Sequence, residues 1–161
     1  MIAFVLMRHA TASPLGRSDR DRELTASGRT EAAAQAQWLL HNMDASTLVI
    51  HSPYRRAVQT ASIVAETLMT NCVEDVRLGA DRRESDIIDV LGDFNGRPVV
   101  LVTHLPMVAE ALATLLQSSA GHFHMPPATF ACCAWDSFIR KRAVLLAYSA
   151  PDGALLARPG W

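Results

Sequence analysis

Three short segments of this 161-residue chain gather the side chains best suited to chemistry. Met7-Arg8-His9 closes one apolar run, His51-Ser52-Pro53-Tyr54-Arg55-Arg56 follows a second, and Thr103-His104-Leu105-Pro106 follows a third. Each sets an imidazole, a guanidinium or both where a strand gives way to a loop or a helix start. A neutral imidazole is a competent nucleophile near neutral pH, since its ordinary pKa is about 6.5. Guanidinium forks match phosphate oxygens bidentately. Helix starts at Pro53 and Pro106 would add unpaired N–H groups and a positive dipole end. Together these groups make a cationic pocket for in-line transfer of a phosphoryl group onto a histidine. Two arginines and a second histidine would stabilise its equatorial oxygens. No cofactor and no metal are called for if side chains carry that charge. Taken alone, Arg8-His9 is equally well explained as a strand end held by a salt bridge, and any single histidine as structural.

Such convergence requires elements that bring the three segments to one place. Ile2–Met7 is a continuous apolar run, as expected of a strand buried on both faces. A polar stretch from Thr11 to Glu23 follows. Thr25 and Gly28 then precede an Ala-rich helical pattern with Ala32, Ala33, Ala36, Leu39 and Leu40 as its apolar stripe. Leu48–Ile50 forms a second strand. Ser52 is expected to cap the next helix, with Pro53 in its first turn and Ala57, Ala61, Val64, Ala65 and Leu68 on its inner face. Val73–Leu78 has weaker strand character, and Ile87–Phe94 suits a short helix. Val99–Val102 is a third strong strand. A helix from Pro106 turns Val108, Leu112 and Leu115 inward. Ala128–Trp135 and Ala143–Tyr148 complete the pattern as a hairpin about Arg140-Lys141-Arg142. Strands alternating with helices predict an α/β fold, a three-layer α/β/α sandwich with a mostly parallel central sheet and one antiparallel strand. In such sheets ligands bind outside the carboxyl ends of the strands, where His9, His104 and the arginines would meet.

Bulk properties narrow the class. Half of the residues are apolar, 19% are charged and the formal net charge is −1, which suits one globular domain over residues 1–161. No basic excess suggests nucleic acid, and no apolar run approaches the roughly 18 residues of a membrane span. The apolar N-terminus precedes its arginine, the reverse of a secretory signal. Three cysteines, Cys72, Cys132 and Cys133, form no Cys-x-x-Cys pattern; Cys132 and Cys133, in an apolar run that reads as a strand, are expected to be buried reduced thiols, and a cytoplasmic location is expected. His122-Phe123-His124 has the alternation of a metal pair but no acidic or cysteine partner nearby, and is expected to be a polar loop.

Taken together the segments resemble the histidine phosphatase superfamily, whose phosphoglycerate mutase-like members open with a strand leading into Arg-His-Gly. Here the residues are Arg8-His9-Ala10. Ser52-Pro53-Tyr54-Arg55-Arg56-Ala57-Val58-Gln59-Thr60 matches the family's Ser-Pro-x-x-Arg-Ala-x-Gln-Thr, and Val102-Thr103-His104 its late histidine. Arg22-Glu23-Leu24-Thr25-Ala26-Ser27-Gly28 and Thr103-His104-Leu105-Pro106 are similar to the short SixA-like branch, the phosphohistidine phosphatases. The resemblance implies a metal-independent hydrolase in which His9 becomes phosphorylated, Arg8 and Arg56 hold the phosphoryl oxygens, and His104 completes the pocket. Spacing in the Ser-Pro motif selects Arg56 over Arg55, which is expected at the rim. Arg22 is either a further substrate contact or a surface salt bridge.

Two departures from the family pattern bear on mechanism. Ala10 stands where glycine is usual; it would be strained if the backbone there needs φ > 0 and acceptable if only a small side chain is required. No general acid aligns clearly, although Asp81 and Glu84 lie in the variable middle region. An alkoxide leaving group benefits greatly from a proton donor, whereas imidazole leaves readily once protonated. The expected substrate is therefore phosphohistidine in a phosphorylated protein, a histidine phosphotransfer domain or phosphocarrier. A small-molecule phosphomonoesterase and a non-catalytic phospholigand-binding relative are the alternatives. The family's lid-forming insertions are absent, which disfavours a mutase.

Overall fold

The computed structural model describes residues 2–152, apart from the His122 side chain. Its elements are β1 (Phe4–Arg8), α1 (Ala26–Asn42), β2 (Leu48–His51), α2 (Arg55–Leu68), β3 (Cys72–Glu74), α3 (Glu84–Asp93), β4 (Val99–Thr103), α4 (Met107–Leu116), β5 (Phe130–Ser137) and β6 (Arg142–Ser149). The six strands form one sheet in the order β3-β2-β4-β1-β5-β6. β1, β2, β3 and β4 run parallel, and β5 pairs antiparallel with both β1 and β6. β5 is thus the single antiparallel strand of the expected α/β sandwich.

Alternation along β1 explains the layers. Phe4 and Leu6 enter one core, with Leu48, Ile50, Leu101 and the inner faces of α3 and α4. Val5 and Met7 enter the other, with Val49, Val100, Val102 and residues of α1 and α2. Successive side chains of a strand point to opposite faces, so a run with no polar residue is what a doubly covered strand requires. β1 lies between β4 and β5, and β4 between β1 and β2. The carboxyl ends of the three strands that carry Arg8, His51 and Thr103 are therefore adjacent.

Several local expectations need correction. On α1 the buried face is Ala32, Gln35, Ala36 and Leu39, while Ala33 and Leu40 are exposed. Gln35 takes the inward place because its Nε2 donates to the carbonyls of Ala128 (2.9 Å) and Ser149 (3.0 Å), tying the helix to β5 and β6. The strand expected over Val73–Leu78 ends at Glu74. Asp75 accepts from the Arg77 amide at 2.9 Å and turns the chain into a 3-10 segment that buries Leu78. Ser52 does not cap a helix that includes Pro53: α2 begins at Arg55 with Tyr54 as its cap residue. Cys132 and Cys133 are buried free thiols, as expected, and Cys72 is exposed. No helix among the described residues is long and apolar enough to cross a membrane.

Candidate active site

His9 follows directly on β1 and is held by neighbours on both sides. Its amide donates to Thr103 O (3.0 Å) at the end of β4, and its carbonyl accepts from Ala128 N (3.0 Å) just before β5. The next amide, that of Ala10, donates to Thr60 Oγ1 on α2 at 3.1 Å. Ala10 is fully buried and is not among the residues with positive φ, so alanine is accommodated without backbone strain.

The spacing of the surrounding segments has physical causes in this fold. Gln59 Oε1 accepts from Leu24 N at 2.8 Å, so the last two residues of the Ser-Pro segment pin the two ends of the β1–α1 connection. Thr25 caps α1 by accepting from Gly28 N at 2.9 Å. At Gly28 a Cβ would lie 2.0 Å from the Thr11 carbonyl oxygen, so only glycine permits α1 to pack against the loop after His9.

The His9 ring is oriented by its own backbone. Nδ1 lies 2.8 Å from the Ala10 carbonyl, which can only accept, so Nδ1 carries the proton and Nε2 bears the lone pair. Arg56 Nε donates to that lone pair at 3.1 Å. Burial, reinforced by the positive charge of Arg56, Arg8 and Arg22, moves the His9 pKa down to about 4 against the opposing effect of the Ala10 carbonyl. The ring is neutral at pH 7, which is the state a nitrogen nucleophile needs.

His104 faces it with ring centroids 5.1 Å apart. Its Nε2 shares a 2.7 Å hydrogen bond with Ser52 Oγ, and its Nδ1 is buried without a partner. Burial first, then the proximity of His9 and Arg56, lowers its pKa to about 3. Ser52 is thereby a site residue rather than a helix cap, and it also accepts from Tyr54 N at 3.2 Å. The Tyr54 ring meets His104 edge-on at 5.0 Å and lies under the guanidinium groups of Arg56 (5.1 Å) and Arg20 (5.6 Å).

Of the remaining expected residues, Arg8 extends from the end of β1 and donates from Nη1 to the Met125 carbonyl at 3.0 Å, leaving a buried Nε without a partner. The segment at Met125, just before Pro126-Pro127, thereby adjoins the site. Arg56 is 6% exposed, whereas the Arg55 side chain is 56% exposed and pairs with Glu23 at 2.5 Å. Arg22 donates to Ser13 O (2.7 Å) and to Asp19 Oδ1 (2.9 Å) and so joins the cluster through Asp19. Asp81 and Glu84 make no hydrogen bond or ion pair with His9, His104, Arg8 or Arg56; Glu84 lines a separate open pocket with Glu110 and Ala113.

Asp19 is the residue that sequence reasoning passed over. It opens a 3-10 turn, Asp19–Asp21, and meets Arg56 twice: its carbonyl accepts from Nη1 at 2.7 Å and its Oδ2 from Nη2 at 3.1 Å. Hydrogen bonds from Arg22 and Arg56 hold its carboxyl below the usual aspartate range, so it is an anion rather than a proton donor. The i, i+3 spacing of Asp19 and Arg22 was the available signal, since such pairs meet on a helical turn. Among the described residues no group of three or more His, Cys, Asp or Glu side chains is placed to hold a metal ion.

Comparison with known proteins identifies the family and the fold. Residues 4–81 match the model of the histidine phosphatase superfamily (branch 1). The phosphohistidine phosphatase SixA homolog of Haemophilus influenzae is 31% identical over 160 residues, covering 91% of this chain and 94% of that protein. The protein histidine phosphatase SixA, solved with tungstate, superposes with a TM-score of 0.81 at 23% identity, covering 92% of this chain and 97% of that one. A mycobacterial glucosyl-3-phosphoglycerate phosphatase solved with inorganic phosphate gives 0.74 at 20% identity, covering 96% and 100%. The two structural matches speak to the fold.

Proposed function

The chain belongs to the histidine phosphatase superfamily, in its SixA-like branch, and on that footing we propose that it removes phosphate from phosphohistidine in a signalling phosphotransfer protein. The observation that carries this reading is the state of His9: a buried, neutral imidazole whose Nδ1–H is committed to the Ala10 carbonyl, leaving Nε2 as the reactive atom.

In the reaction, His9 Nε2 attacks phosphorus in line with the substrate's N–P bond. A new N–P bond forms on His9 while the old one breaks, and the substrate imidazole, protonated on its other ring nitrogen by solvent, leaves neutral. Water then attacks the phosphorylated His9, breaking its N–P bond and releasing orthophosphate. Arg8 and Arg56 hold the phosphoryl oxygens, His104 completes the cradle, and Arg22 supports its outer side. Cationic side chains supply the charge stabilisation, so the cycle runs without a metal.

Preference for phosphohistidine over an ester follows from what surrounds the nucleophile. Among the described residues the one carboxyl bonded into the cluster, that of Asp19, is held as an anion by two guanidinium groups. An alkoxide would find no strong acid, whereas protonated imidazole needs none. The name of the Haemophilus influenzae relative supports the same substrate class. Free thiols at Cys72, Cys132 and Cys133 suit a cytoplasmic setting, where phosphotransfer domains and phosphocarriers reside.

The test is to incubate the pure protein with a histidine phosphotransfer domain labelled on its phosphohistidine, following both species by phosphorus NMR. Loss of the substrate signal, with transient acid-labile phosphate on His9, is expected. An unchanged phosphohistidine lifetime would sink the reading, and faster turnover of common phosphate esters would replace it with a phosphomonoesterase.

A further inference from the structure

The arm expected to hold the phosphoryl oxygens is already in use within the protein. All three nitrogens of Arg56 have partners: Nε bonds His9 Nε2, Nη1 the Asp19 carbonyl, and Nη2 the Asp19 carboxylate. The other carboxylate oxygen of Asp19 accepts from Arg22 Nη1 at 2.9 Å. One side chain thus presents two anionic oxygens to two guanidinium groups, the arrangement a phosphoryl group would adopt on the same arms.

We propose that Asp19 is the resident anion of the phosphoryl pocket, exchanged for the phosphoryl group on substrate binding and returning to expel orthophosphate after hydrolysis. The proposal deepens the functional reading above and rests on it.

Two features make exchange feasible. Asp19 is 58% exposed, although its partner Arg56 is 6% exposed, so the carboxylate can leave toward water while the arginine stays in place. The turn that carries it, Asp19–Asp21, buries no residue and is fastened by Ser18 to Asp21 at 2.8 Å and by Arg20 above the Tyr54 ring. Opening such a segment exposes little apolar surface and costs little.

The sign of the effect follows from charge. A phosphoryl dianion attracts the guanidinium groups more strongly than a carboxylate does, so it can displace Asp19. A carboxylate left nearby repels the product, so Asp19 raises the dissociation constant of free orthophosphate. A protein substrate brings contacts outside the pocket to offset that penalty, whereas orthophosphate brings none. Asp19 therefore acts on product release: it weakens the hold on orthophosphate, while contacts outside the pocket keep the phosphoprotein bound.

Orthophosphate binding to the wild-type protein, Asp19→Asn and Asp19→Ala, measured by calorimetry and as competitive inhibition, tests this. Both variants should bind orthophosphate about fivefold more tightly, a modest factor because the carboxylate is half exposed. Binding of the phosphoprotein should tighten in the same sense, since both ligands displace the same carboxylate. Equal or weaker orthophosphate binding in both variants, with unchanged melting temperature, would overturn the proposal and reduce Asp19 to a prop for Arg56. If neither wild type nor variants bound orthophosphate, the phosphoryl-pocket reading would fail and the proposal with it. Binding that is present but indifferent to Asp19 overturns the proposal alone.

Discussion

Arg56 Nε donates a 3.1 Å hydrogen bond to His9 Nε2, so the lone pair expected to attack phosphorus is capped by the arginine expected to hold the phosphoryl oxygens. This bond holds the two side chains together and gives way at Nε2 when that lone pair attacks phosphorus. It also separates the neighbours Arg55 and Arg56. Consecutive helical residues differ by about 100° in direction, and only Arg56 turns inward.

Replacement of these residues should rank accordingly. His9→Ala should abolish phosphate turnover and eliminate the acid-labile phosphoenzyme. Arg56→Ala should lower kcat about 10²–10³-fold, the usual loss on removing one preorganised donor to a developing charge. Arg55→Ala should change kcat/KM by no more than about twofold, because its ion pair with Glu23 is exposed on both sides. Steady-state kinetics on all three decides; equal losses at Arg55 and Arg56 would show the helix rotated from its assigned orientation.

The pH dependence follows from the depressed histidine pKa values. His9 takes up its proton only near pH 4, so kcat/KM should not fall at pH 6.5, where an ordinary imidazole would titrate. Folding stability, by contrast, should respond as soon as the pH drops below 6.5. Between pH 6.5 and about 4 the unfolded chain binds protons at His9 and His104 that the folded protein does not, so stability declines as pH falls through that window. NMR titration of the two rings, alongside urea melts from pH 7 to 4, measures both effects.

Gly28→Ala should be among the costly single-methyl changes in this protein. The new Cβ would meet the Thr11 carbonyl oxygen at 2.0 Å, and that oxygen already accepts from Thr25 N at 3.0 Å. Overpacking against backbone costs about 1–3 kcal/mol, and the upper end is expected here. Because Thr11 is joined through Ala10 to His9, kcat should fall with the melting temperature. Circular dichroism melts and kinetics on the same preparation will show whether the two move together.

Ala10→Gly, which restores the residue usual in the family, should bring no gain. Ala10 has ordinary backbone geometry and is fully buried, so glycine adds only freedom to the unfolded chain. A loss of about 0.4–1 kcal/mol in stability is expected, with kcat within about twofold of wild type. A large rise in kcat would mean that the alanine strains the nucleophile's loop.

Where the sequence was legible, local pattern and global fold agreed. The unbroken apolar run of β1 could be placed between two helix layers, and the spacing of the Ser-Pro segment distinguished Arg56 from Arg55. Where it misled, a local signal competed with a distant partner. Ser52 before Pro53 has the form of a helix cap, but its hydroxyl is claimed by His104, 52 residues away in the chain. Gln35 belongs to a polar position on α1 until β5 and β6 supply two carbonyls for its amide. Asp19 sits in a stretch with no periodicity, and its tie to Arg56 spans 37 residues. Such pairings depend on loop closure, which hydrophobic pattern does not encode.

The mounting of His9 divides the site into parts that open at very different free energies. Its backbone is stitched to β4 on one side and to the approach to β5 on the other, in the middle of the sheet. Amides there exchange with solvent only through sub-global or global unfolding, whereas the turn bearing Asp19 can open through local fluctuation. Hydrogen exchange should accordingly protect His9 and Ala10 nearly as strongly as the strand interiors and leave Asp19–Asp21 close to unprotected. The nucleophile then behaves as a fixed anvil, and the anion that guards it as the moving part.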